Sequence, residues 1–251
     1  MKKLIAANWK MNKTIADAVS FIKEFKKIIK DDKNADIVIC PPFTVLQAVA
    51  NEIKTTNIKL GAQNMHHESS GAFTGEISPL MLKEIGCRYV ILGHSERREM
   101  GEADSLINKK VISALKHGLT PILCIGETHE QRMKDETHDV LENQLIRCLQ
   151  NAGEIKKAVI AYEPVWAISR GNPSQKAATK ADAEEAHLFI RKLLEGIYDE
   201  KSAEETRIIY GGSVKPENAK ELLSMRNIDG GLVGNASLDA KSFAEIVEAA
   251  K

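Results

Sequence analysis

"KKAVIAYEPVW" (residues 156–166) carries an unbroken apolar run, Ala158 to Tyr162, straight into a glutamate, a proline and a tryptophan. The run is strand-length and does not alternate apolar with polar. A strand that is apolar at every position is covered on both faces, which is the condition of strands in a parallel sheet. Parallel neighbours cannot be joined by a hairpin. Each needs a crossover, normally a helix and normally right-handed.

Working outward from that run, the same pattern recurs in "LIAAN" (4–8), "DIVIC" (36–40), "IKLGAQ" (58–63), "YVILG" (89–93), "PILCIG" (121–126), "AVIAYE" (158–163), "RIIYGG" (207–212) and "GGLVG" (230–234). Helical stripes separate the runs. Ile15, Val19, Ile22, Phe25 and Ile29 repeat at spacings of three and four behind Thr14, a natural N-cap, and comparable stripes cover 104–117, 130–150, 181–199 and 239–250. No Ser/Gly/Pro-rich linker divides the chain. Eight strand–helix units in 251 residues predict an α/β fold of the (β/α)8 barrel type, eight parallel strands with outer helices, as one domain over 1–251. A doubly wound open sheet is the alternative, although no GxGxxG follows the first strand. In both folds ligands bind at the carboxyl ends of the strands.

Composition narrows the partners. Lys+Arg and Asp+Glu both number 35, so no global field favours nucleic acid or an acidic membrane, and any bound anion must be held locally. Cys40, Cys87, Cys124 and Cys148 are widely spaced, with no CxxC. That predicts buried, reduced thiols in a cytoplasmic protein and no zinc site. The opening "MKKLIAANWK" begins like a signal peptide, but its apolar run stops at Asn8, and no stretch approaches membrane-span length.

The strand ends bring together Lys10, His94, Glu163 and two glycine-containing turns, Gly211-Gly212-Ser213 and Gly234-Asn235. Each alone has an ordinary explanation: a solvated loop lysine, a capping histidine, a glutamate paired with an arginine. Together on one rim they suit a particular chemistry. Backbone N–H groups at such turns bind an anion without net positive charge, and the loops after strands seven and eight of a barrel often hold phosphate. A carboxylate can take a proton from carbon while an imidazole and an ammonium stabilise the oxyanion that develops. His94 at a helix start meets the positive helix end, which disfavours the imidazolium. The expected reaction is proton transfer alpha to a carbonyl in a small phosphorylated substrate.

"NWKMN" (8–12), "ILGHSERR" (91–98), "CIGE" (124–127), "AYEPVWAI" (161–168), "YGGSV" (210–214) and "LVGNASL" (232–238) resemble, in order and spacing, the signature segments of the triosephosphate isomerase family. The resemblance implies interconversion of dihydroxyacetone phosphate and D-glyceraldehyde 3-phosphate through an enediolate, in glycolysis and gluconeogenesis, with no cofactor and no metal. It makes Glu163 the base, His94 the electrophile, Lys10 a source of positive charge, and Asn8 a ligand for a substrate oxygen. Glu96 matches a carboxylate that helps position Lys10. Ser169, Ser213, Gly234 and Asn235 match the phosphate grip. The segment 164–180 matches a lid with Pro164-Val165-Trp166 as its stiff entry. "GAFTGEIS" (71–78), within a loop spanning about 65–78, matches one that reaches into the partner of a homodimer, with Thr74 at the partner's site.

Three departures from the family pattern stand out. The segment 169–180 is longer than usual, with Ser169 in place of a glycine and Pro173 near its tip. Asn235 replaces the second glycine of a pair, so a left-handed backbone there would carry a steric cost. The run after Arg98, "EMGEAD", is short and lacks an aromatic residue. The longer segment 169–180 leaves open an alternative substrate, another small phosphorylated aldose or ketose.

Overall fold

The computed structural model describes residues 1–30, 34–167 and 178–250. Its elements run β1 (Leu4–Asn8), α1 (Ile15–Ile29), β2 (Asp36–Cys40), α2 (Leu46–Ile53), β3 (Lys59–Ala62), α3 (Pro79–Ile85), β4 (Tyr89–Leu92), α4 (Ser95–Glu99), α5 (Asp104–Lys116) and β5 (Thr120–Ile125). There follow α6 (His129–Met133), α7 (Thr137–Leu149), β6 (Val159–Tyr162), α8 (Lys180–Ile197), α9 (Glu200–Glu205), β7 (Arg207–Tyr210), α10 (Pro216–Leu223), β8 (Gly230–Val233) and α11 (Ala240–Glu248).

All neighbouring strands pair in parallel, and β1 pairs with both β2 and β8, closing the sheet into a barrel. The open-sheet alternative is therefore excluded. Uniformly apolar strands conceal a two-residue alternation that the barrel makes visible. Leu4, Ala6, Val38, Cys40, Ile91, Ile122, Cys124, Val159, Ala161, Ile209 and Leu232 pack together inside the barrel. Their chain neighbours, such as Ile5, Ile39, Leu92, Ile160 and Tyr210, pack outward against the helices. Side chains of alternate residues fill such an interior, so it is core and not a pore.

Most expected strands end earlier than their apolar runs. Gly93, Gly126, Glu163, Gly211, Gly212 and Gly234 lie beyond the ends of β4 to β8, where the chain leaves the ladder. At Gly93 the backbone turns left-handed, with φ of 67°. The stripe over 130–150 is two helices, because Asp135 takes φ of 57° and breaks the helical path between α6 and α7. The Thr14 cap is present as a reciprocal box: Thr14 N–H donates to Asp17 Oδ2 at 2.9 Å, and Asp17 N–H donates back to Thr14 Oγ1. All four cysteines are buried free thiols. Among the described residues no helix is long and apolar enough to cross a membrane.

His187 of α8 is buried between Tyr162 and Tyr210, with Nδ1 3.2 Å from the Asn227 carbonyl oxygen. Burial pushes this imidazole down to about 3 from its ordinary 6.5. The unfolded chain takes up that proton as pH drops below 6.5, and the folded chain does not. The contribution is thus complete above pH 6.5 and is lost as pH falls towards 3. Between pH 7 and pH 5 this group alone should remove about 2 kcal/mol of stability. Urea unfolding of wild type and His187→Gln at both pH values measures it: the gap between the two proteins should narrow by that amount at pH 5. An unchanged gap would show that the ring is not held neutral.

Candidate active site

The inward phase of the strands decides which side chains reach the mouth of the barrel. Following Leu4 and Ala6, the next inward position on β1 is Asn8. Following Val159 and Ala161 on β6 it is Glu163, and on β7 and β8 the inward positions beyond Ile209 and Leu232 are Gly211 and Gly234. Asn8, Lys10, His94, Glu163, Ser213 and the Gly234-Asn235 turn line one cavity of about 350 Å³. The described residues thus bring together the rim expected from sequence. Ser169, and most of the expected lid, lie outside the described residues.

Glu163 is held on three sides. Its own N–H donates to Ile125 O at 2.7 Å. Its Oε2 accepts the Ser95 N–H at 3.1 Å, and its Oε1 stands 3.1 Å from His94 Nε2. Two glycines make room for it. A Cβ on Gly126 would fall 1.9 Å from Glu163 O, and one on Gly211 would fall 2.7 Å from Glu163 Cγ. Neither approach is open to a larger residue without displacing the carboxylate.

His94 is the N-cap of α4, and its Nδ1 accepts the Glu96 N–H at 3.2 Å. The Glu96 carboxylate lies farther from the same nitrogen, 3.6 Å, so the backbone donor sets its role. A ring nitrogen that accepts an N–H carries no proton, which leaves the proton on Nε2, facing Glu163. The site therefore presents His94 Nε2–H as a hydrogen-bond donor.

Lys10 adopts φ of 51°, a left-handed conformation that a lysine keeps only when its surroundings hold it. They do so at both ends of the residue: Asn8 Oδ1 accepts the Lys10 N–H at 3.0 Å, and Gln63 Nε2 donates to Lys10 O at 2.8 Å. Trp9 anchors the turn from outside, buried and donating from Nε1 to Ser237 O at 3.1 Å. The Lys10 ammonium pairs with Glu96 Oε1 at 2.7 Å. Asn235 begins a 3-10 turn, Asn235–Leu238, and has no positive φ, so the steric cost expected there does not arise.

The sequence model of the triosephosphate isomerase family matches residues 3–250. The chain belongs to that family. It is 53% identical to triosephosphate isomerase from Clostridium novyi over 249 residues, covering 98% of both chains. It is 51% identical to that from Aquifex aeolicus, over 98% of this chain and 99% of the relative. The crystal structure of triosephosphate isomerase from Bartonella henselae superposes with a TM-score of 0.90 at 38% identity, covering 99% of each chain.

In this triosephosphate isomerase family member, Gln63 and Glu127 also belong to the site, beyond the residues its sequence marks. Gln63 carries no motif, and its importance lies only in the carbonyls it holds, those of Lys10 and Cys40. Glu127 closes the "CIGE" segment and is fully buried. It accepts from Tyr162 Oη at 3.1 Å and from Trp166 Nε1 at 2.7 Å, while burial pushes its carboxyl above the usual range. A carboxylate one residue past a strand-end glycine was the available signal. The protonation pattern at His94 can be read directly: 15N spectra at neutral pH should show His94 bare at Nδ1 and protonated at Nε2. A ring protonated at both nitrogens would contradict the hydrogen bond from Glu96.

Proposed function

We infer that this protein is a cytoplasmic aldose–ketose isomerase that interconverts dihydroxyacetone phosphate and D-glyceraldehyde 3-phosphate through an enediolate. The observation that carries the reading is the facing pair, Glu163 Oε1 and His94 Nε2 at 3.1 Å, on a cavity shared with Lys10 and two glycine-containing turns. With substrate bound in the cavity beside them, Glu163 takes the proton from C1 of the ketone, the C–H electron pair becomes the C1–C2 double bond, and the carbonyl π pair moves onto its oxygen. His94 Nε2–H and the Lys10 ammonium stabilise that oxygen as it gains charge. Glu163 then returns its proton to C2, and a proton moves between the two oxygens, so nothing is gained or lost overall. Asn8 orients a substrate oxygen and Glu96 holds Lys10 in place. Ser213 and the backbone of Gly234 and Asn235 hold the phosphate, as oriented N–H groups do without net charge. Ser169 completes that grip from the lid. The alternative, another small phosphorylated sugar, gains nothing from the described residues.

Glu163→Gln removes the base and keeps the shape. It should lower kcat for glyceraldehyde 3-phosphate by about 10³-fold or more, the scale of a lost general base. Phosphoglycolate, an analogue of the enediolate, should still raise the melting temperature of the variant, because a ligand that binds only the folded state stabilises it. Turnover within tenfold of wild type would remove Glu163 from its role.

The protein acts as a homodimer through the loop at 65–78. Supporting this reading, the loop is closed at its base by His66 N–H donating to Ile77 O at 2.8 Å, while residues 71–76 are exposed, with Phe73 against the His66 ring. Met11 and Met100, 95% and 76% exposed, are apolar side chains that such a partner would cover. Light scattering should give twice the chain mass, and Phe73→Asp should shift the population towards the monomer. A monomeric wild type at micromolar concentration would end the dimer reading.

A further inference from the structure

Arg132 stands where three segments of chain meet. It belongs to α6, and its guanidinium carbon lies 4.1 Å from the centre of the Trp166 ring. Its Nη2 donates to Asp182 Oδ1 at 3.0 Å, and its Nη1 lies 3.8 Å from Glu127 Oε1. Trp166 Nε1 donates to that same Glu127 oxygen at 2.7 Å. The indole is therefore fixed at its edge by a buried carboxylate and on its face by a cation. A guanidinium can stack and form an in-plane hydrogen bond at once, which an ammonium cannot.

The two partners of Arg132 lie on either side of the segment that follows Glu163. Trp166 comes three residues after the carboxylate, in the 3-10 turn Val165–Ala167. That turn is pinned to the strand end by Val165 N–H donating to Glu127 O at 3.1 Å. Asp182 lies in the first turn of α8, where its other oxygen accepts from Thr179 N–H at 3.0 Å and Thr179 Oγ1 at 2.6 Å. One side chain thus joins the chain leaving Glu163 to the cap of the helix into which that chain later leads.

Arg132, His138, Tyr162, Asp182 and Glu185 line a cavity of about 540 Å³ on that side of the barrel. An exposed ion pair of this length would ordinarily mean little. Here the pair matters for where it holds Trp166.

We propose that Arg132 is a positioning residue for Glu163: it clamps Trp166 onto Glu127 while gripping the first turn of α8, and so fixes the backbone that carries the carboxylate into the cavity. The proposal rests on Glu163 being the base. Arg132 touches no substrate, and it acts on the geometry of proton transfer more than on binding.

The test compares wild type, Arg132→Met, Arg132→Lys and Glu163→Gln as full-length protein, with kinetics on glyceraldehyde 3-phosphate and 19F spectra of 5-fluorotryptophan-labelled samples. The chain has two tryptophans, so buried Trp9 serves as the internal control. Arg132→Met should lower kcat about tenfold with KM within twofold, a modest share of what an ångström of misplacement can cost. Its Trp166 resonance should shift or broaden while that of Trp9 stays. Arg132→Lys keeps the charge without the planar face, and should fall between wild type and Arg132→Met in both readouts. It also carries the test alone if the methionine variant does not fold. Unchanged kcat in both Arg132 variants, alongside an inactive Glu163→Gln, would overturn the clamp and leave the base assignment standing. A raised KM with both tryptophan resonances displaced would also overturn it, by showing a general loss of structure. An active Glu163→Gln would take away the base reading and this proposal with it.

Discussion

The site depends on how closely the backbone approaches itself around Glu163. Beyond the ends of β5, β6 and β7 the ladder continues for one more bond on each side, from Glu163 N–H to Ile125 O and from Gly211 N–H to Tyr162 O, both at 2.7 Å. These bonds draw Gly126 and Gly211 so near to Glu163 that neither position has space for a Cβ. A carboxylate carried on a free loop would sweep a wide arc. This one is held by main-chain hydrogen bonds to two neighbouring strands, so its position inherits the rigidity of the barrel. The barrel's closure through β1 and β8 then brings Lys10 and Gly234 to the opposite wall of the same cavity.

The chain carries as many acidic as basic residues, and the site shows how local charge is arranged without help from the whole. Lys10 does not stand alone: Glu96 holds its ammonium, and Glu96 also lends its backbone N–H to His94 Nδ1. One residue therefore sets the position of the cation and the tautomer of the imidazole. The left-handed backbone at Lys10 is the local strain behind this arrangement, of order 1–3 kcal/mol for such a residue. Asn8, Gln63 and the buried Trp9 oppose it, each through a hydrogen bond that a simple lysine loop would lack.

Much of this was legible in the residues. Apolar runs without alternation revealed eight parallel strands, and glycines, histidine, lysine and glutamate at their ends marked the rim. What the runs could not disclose was phase. When both faces of a strand are apolar, Ile160 and Ala161 look alike, yet one faces the helices and the other the barrel interior. The expected strands also ran too long, since a glycine that ends a strand by turning left-handed, as Gly93 does, reads in sequence like one that continues it. Gln63 stayed hidden for another reason: its work is done on main-chain carbonyls, which leave no pattern in the side chains.

Phase also explains why two glutamates in similar surroundings have different parts. Glu127 and Glu163 each follow an apolar strand, each lies near a glycine, and each is nearly or fully buried. On β5 the inward residues are Ile122 and Cys124, so Gly126 continues the inward row and Glu127 turns outward. There it accepts from Tyr162 and Trp166, with the Arg132 guanidinium 3.8 Å away, and becomes a fixed acceptor in the wall. On β6 the inward row is Val159, Ala161 and Glu163, so the second carboxylate turns towards the cavity and meets a single imidazole N–H and a backbone N–H. An acceptor turned into the wall and engaged by its own protein meets no substrate proton. One with an open cavity before it does. The strands are paired in phase, Cys124 opposite Ala161, so the place of each glutamate past its own strand, one residue further on after β5, separates an anchor from a base.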